Sequence, residues 1–175
     1  MAIIKPNNNT ISAITALPAA IPTGKVLQVV QTVKTTTFTV SGTSDFTDVT
    51  GMSVNITPSS TSSKILVDYT TFIGCSNDSR VHIALVRGST YLFVGTSAGS
   101  RTASSGFFYT QTDVSGQMRN VSGTFLDAPS STSQQTYKIR IYTSGGTASF
   151  NCTQNDSNNG YQPRTASSIT VSEIA

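Results

Sequence analysis

From residue 26 to residue 174 the chain repeats one pattern, short runs in which Ser or Thr alternates with Val, Ile, Leu, Phe or Tyr. A period of two puts the apolar side chains on one face of an extended strand and the hydroxyls on the other. Half-buried β-strands need that arrangement, and helices do not tolerate it. Fifty-four of the 175 residues are Ser (26) or Thr (28), while only 19 carry formal charge, a single Glu among them. Solubility therefore rests on hydroxyls and amides. The pattern predicts an all-β scaffold or binding module, not an enzyme.

The runs fall at 26–33, 37–40, 52–57, 64–73, 80–87, 91–94, 107–109, 117–126, 137–142, 147–153 and 168–174. Turn chemistry separates them. Gly88-Ser89-Thr90 reads as a hairpin, Gly145-Gly146 as a tight turn, and Pro58 and Pro129 each open a Ser/Thr loop that leads to a Lys-Ile strand start at Lys64 and Lys138. No interval holds a helix of three turns, so helical crossovers are excluded and the sheets must be mainly antiparallel. With 37% hydrophobic residues the chain can close one core. The expected fold is an antiparallel β-sandwich of jelly-roll type over residues 25–175, preceded by an extended arm at 1–24.

The arm differs from the rest. After the polar Asn7-Asn8-Asn9-Thr10, apolar residues recur about every third position, hinting at a helical turn over 11–17 that Pro18 stops. Such a segment cannot pack on itself and is expected to dock on another chain, with Ile3, Ile4, Ile11, Ile14, Leu17 and Ile21 as its anchoring residues. No charged n-region followed by an apolar h-region marks export, and no apolar stretch has the length of a membrane span.

Chemistry is hard to find in the sequence. The net charge of +3 comes from Lys and Arg scattered singly along the chain, without the concentrated footprint that nucleic acid requires. Cys75 and Cys152 lie 77 residues apart and read as small buried hydrophobes, or as a disulfide if Cys75 ends a strand beside Cys152. The lone histidine, His82, faces away from Val81 and Ile83 and reads as surface or interface filler. Asp45, Asp48, Asn77, Asp78 and Asp156 read as turn caps rather than metal ligands. The one glutamate, Glu173, has no partner visible in the sequence. A hydrolase would need paired carboxylates, from Asp68, Asp113 or Asp127, brought together across a subunit boundary. No catalytic residue, metal ligand or cofactor is expected. Recognition by surface remains, with Phe107, Phe108, Tyr109 and Tyr161 as ring candidates and Arg101 and Arg164 as carboxylate or acidic-glycan candidates.

Four segments carry a likeness. They are residues 1–30, opening Met1-Ala2-Ile3-Ile4-Lys5-Pro6; residues 48–67; Phe125-Leu126-Asp127-Ala128-Pro129; and Thr170-Val171-Ser172-Glu173-Ile174-Ala175. In these the chain resembles small virion-associated, tail-fibre-like structural proteins of tailed bacteriophages, especially phages of marine bacteria. The resemblance implies a component of the virion surface, a homotrimer held by its N-terminal arm to tail, collar or capsid subunits, with host attachment through a surface glycan. It also admits a head fibre or a capsid decoration protein. Outside that family, the residues fit a carbohydrate-binding β-sandwich module. None of these readings involves nucleic acid or membrane insertion.

Overall fold

The computed structural model describes residues 24–111 and 116–175, so the arm, with its six anchoring candidates, lies outside the described residues except for Gly24. Eleven strands follow in chain order. They are β1 (Val26–Lys34), β2 (Phe38–Ser41), β3 (Thr47–Ile56) and β4 (Lys64–Cys75). Next come β5 (Arg80–Arg87), β6 (Thr90–Leu92), β7 (Gly106–Tyr109) and β8 (Met118–Asp127). The last three are β9 (Gln135–Ser144), β10 (Thr147–Phe150) and β11 (Ser167–Ile174).

Every pairing is antiparallel. One sheet runs β1-β11-β4-β8. The other runs β3-β9-β5, with β7 and β6 sharing the far edge of β5 one after the other. In chain order the main strands visit the first sheet, the second, the first, twice the second, then first, second and first again. That is the strand order of an eight-stranded jelly roll. The short β2–β10 pair extends the first sheet, because β10 takes the edge of β4 at Ile73–Cys75, beyond the point where β11 stops at Thr70.

Asn151 fixes the joint between β10 and β11. Fully buried and at φ 61°, it sits in a conformation that Asn tolerates better than most residues. Its Nδ2 donates to the carbonyls of Lys34 (2.8 Å) and Thr36 (3.0 Å), and its Oδ1 accepts from Ser167 Oγ at 2.6 Å. One side chain thus ties the end of β1 to the start of β11. It also explains why the strand expected over 147–153 ends at Phe150.

The core lies between the sheets, built from inward phases such as Ile65, Val67, Tyr69 and Ile73 of β4 and Tyr137, Ile139 and Ile141 of β9. Gly145 and Gly146, at φ 78° and 65°, pass the chain from β9 in one sheet to β10 in the other, so this turn closes no hairpin. A Cβ on Gly146 would collide with the hydroxyls of Ser76 and Ser79. The expected hairpin at Gly88-Ser89 is present, joining Arg87 to its partner Thr90. β3 begins at Thr47, earlier than expected, because an irregularity between Asp48 and Ser53, with Gly51 at φ 82°, breaks the alternation that sequence reading relies on. Cys75 and Cys152 are both buried and free, and burial raises the pKa of each thiol.

Two buried polar clusters lie at one end of the core, in the strand row that runs through Glu173, Ile65 and Asp127. Arg87 donates to Asp127, which also accepts from Tyr137 Oη at 2.7 Å. Burial and that bond push the Tyr137 phenol well above its ordinary range. At the other cluster Glu173 is fully buried and accepts from Gln28 Nε2 (2.6 Å) and from the Ser59 amide and hydroxyl (2.7 Å each).

Candidate functional site

The pairing of β7 with β5 and of β5 with β9 places Phe107, His82 and Tyr142 in one row across three strands. The next row is Tyr109, Arg80 and Ser144. Both rows face outward, since the alternate residues Val81, Ile83, Ile141 and Thr143 are buried. The His82 ring lies 4.7 Å from that of Phe107 and 5.3 Å from that of Tyr142, which continues to Phe46 at 5.8 Å. These side chains make an aromatic floor.

The segment before β7 forms a lip above the floor. Ser105 holds it down, its amide donating to the Ile83 carbonyl at 2.8 Å and its hydroxyl to the Leu92 carbonyl at 3.0 Å. A turn closed by the Arg101 amide on the Ala98 carbonyl (3.2 Å) presents Ser100, Arg101, Thr102 and Ser104 along the edge. Ser104 Oγ stands 3.4 Å from His82 Nδ1. The result is an open groove of about 590 Å³.

Its electrostatics are one-sided. Arg80 and Arg101 line it and, among the described residues, no aspartate or glutamate does. The Arg80 guanidinium lies over the Tyr109 ring, 4.9 Å from its centre, while Tyr109 Oη donates to Asp78 at 2.5 Å. That bond raises the Tyr109 pKa, so the phenol stays neutral. Burial lowers the His82 pKa, which leaves the imidazole neutral at pH 7 and the two guanidiniums as the charge of the groove.

Of the residues singled out in the sequence, Arg101 and Phe107 line this groove and Tyr109 stands beside it. Phe108 points the other way and packs against the core, as alternation along β7 requires. Tyr161 is 92% exposed on the excursion between β10 and β11 and lines no part of the groove. Arg164 sits in the same excursion and is spent on Asp156, through Nε to Oδ1 at 3.0 Å and Nη2 to Oδ2 at 2.6 Å. Among the side chains the sequence reading passed over are Arg80, Tyr142 and Ser144, with the hydroxyls of Ser100, Thr102 and Ser104. The outward phase of Arg80 was readable beside Val81, but the register that aligns Tyr142 with His82 was not.

Within one chain Asp68 and Asp127 stand apart. Asp68 faces outward and accepts from Thr124 Oγ1 at 2.5 Å, whereas Asp127 is buried against Arg87 and Tyr137. Asp113 lies outside the described residues. Among the described residues no group of three His, Cys, Asp or Glu stands together to hold a metal.

No protein-family model matches the chain, and no curated protein does. Solved structures of infectious bursal disease virus are similar in fold. The Gt strain structure gives a TM-score of 0.44 at 12% identity, over 84% of this chain and 40% of that one. A mutant VP2 protein of the same virus in T=1 particles gives 0.42 at 11% identity, over 84% and 37%. A VP2 subviral particle gives 0.38 at 14% identity, over 84% and 41%. The chain thus spans about 40% of the length of the structures it resembles, and likeness at this level of identity concerns the fold alone. The expectation of a bacteriophage tail-fibre family is corrected here: the similar structures are those of infectious bursal disease virus, and no family model matches the chain.

Proposed function

We propose that this chain is a non-enzymatic structural subunit of the outer surface of a virus particle, related in role to capsid or capsid-decoration proteins. The observation that carries the proposal is the state of β1. This nine-residue strand is an edge of its sheet, paired only with β11 among the described residues. It shows Val26, Leu27, Val29 and Val33 to solvent, with Val29 59% and Val33 53% exposed. Long apolar edges are normally charged, bulged or covered, because an exposed one recruits another chain. Only the start of β1 is irregular, between Val26 and Gln28.

The adjoining face fits the same role. Register places Val29, Ser172, Leu66 and Leu126 in a row across the sheet, followed by Gln31, Thr170, Asp68 and Thr124, then Val33, Ser168, Thr70 and Ser122. Twelve positions hold one charge, so a hydroxyl-and-aliphatic surface is offered for packing against other subunits with little desolvation cost. The jelly-roll order supports the reading as well, since it recurs in capsid domains, although it also recurs in lectin domains and cupins.

The test is the full chain carrying Val29→Lys and Val33→Lys together. Both side chains point to solvent, so the fold should persist, and the lysines should abolish self-association measured by light scattering. Association unchanged in the double variant would refute the role given to β1.

A further inference from the structure

We infer that the groove on the outer face of β7, β5 and β9 binds an acidic saccharide, a sugar bearing a carboxylate or a sulfate. Three independent features define the ligand. The first is unneutralised cationic charge. Among the described residues the ion pairs use Arg87, Lys138, Arg140 and Arg164, whereas neither Arg80 nor Arg101 has a carboxylate within salt-bridge distance. Guanidinium groups present paired donors that match a carboxylate or a sulfate oxygen pair. Arg80 is steadied for that task by the Tyr109 ring beneath it, which Asp78 in turn holds from the other side.

The second feature is the floor. Phe107 is more than half exposed, although it lies in a strand where a polar residue would serve as well. An aromatic ring kept at the surface beside His82 and Tyr142 offers a flat apolar face, suited to the C–H face of a pyranose. The third is the set of hydroxyls that line the groove, from Ser100, Thr102 and Ser104 of the lip and from Ser144. Each hydroxyl both donates and accepts, which matches a ligand that is itself covered in hydroxyls.

The size agrees. About 590 Å³ lies in the range of small-molecule sites and has room for one or two sugar rings. Two arginines are too few to track a phosphate backbone, which excludes nucleic acid as the occupant. A neutral lipid or apolar peptide would leave both guanidiniums unsatisfied. Sugar binding does not depend on the structural role proposed above: a chain that assembles without binding sugar fails only here, and one that binds sugar as a permanent monomer fails only there.

The experiment uses the full chain and three probes, sialyllactose for the carboxylate, a sulfated lactose for the sulfate, and lactose as the neutral counterpart. Binding is followed by saturation-transfer NMR and calorimetry. At least one acidic probe should bind about tenfold more tightly than lactose, a difference of one charge-assisted contact. Arg101→Ala and Phe107→Ala should each weaken it about five- to tenfold, while Arg164→Ala, outside the groove, should change nothing. Both groove residues are exposed, and an unchanged melting temperature certifies the fold of each variant. Preference for the carboxylate or for the sulfate supports the assignment equally and identifies the acid group. Equal affinity for lactose, no binding of either acidic probe, or indifference to both groove variants would overturn it.

Discussion

Glu173 is the chain's one glutamate, and the fold buries it completely at the inward phase of β11. Burial alone would raise its pKa, but hydrogen bonds from Gln28 and Ser59 outweigh that effect and lower it from the ordinary 4.5 to about 2. A group whose folded pKa is depressed stabilises the fold fully above its unfolded value, and the contribution is lost as pH falls from 4.5 towards 2. Denaturant titrations across that window should show stability declining in the wild type and declining less in Glu173→Gln. At pH 7 the same variant should cost roughly 1–3 kcal/mol, the range for disturbing hydrogen bonds to a buried charge. The inward phase of Glu173 was legible, since it shares the phase of Ile169 and Val171. Its partner Gln28 lies 145 residues away in sequence and was not. The groove divides in the same manner: Arg101 and Phe107 stood out as odd residues in a hydroxyl-rich chain, while Tyr142 belongs to the site only because β5 brings it beside His82.

The strands themselves were legible because period-two alternation is a local signal, and hairpin chemistry at Gly88-Ser89 is equally local. Sheet order was not, because it depends on which strands meet across tens of residues. Asn151 shows where such information resides. Nothing local marks it as more than a polar residue in a run, yet it bonds to Lys34 and Thr36, more than a hundred residues earlier. Asn151→Ala should destabilise the protein by about 2–4 kcal/mol, since two buried carbonyls lose their donor and alanine is strained at positive φ. Asn151→Gly removes the strain but not the loss of the donor, so thermal unfolding should show it recovering only about 1 kcal/mol of that deficit. Full recovery by glycine would mean that the side-chain bonds contribute nothing to the joint.

At the scale of the molecule the two sheets present different outer faces. The β1-β11-β4-β8 face is nearly uncharged and ends in an open apolar edge, whereas the β7-β5-β9 face carries the cationic groove. In an assembled surface the first would be consumed in contacts between subunits while the second stayed free for recognition. That division of labour depends on β1 being where copies of the chain meet. Amide hydrogen exchange along β1 in the full chain, compared between dilute and concentrated protein, tests it most directly. The account predicts that protection across Val26–Lys34 rises with concentration while β7 is unaffected. Amides of β1 that exchange at the same rate at every concentration, or protection that grows on β7 instead, would contradict it.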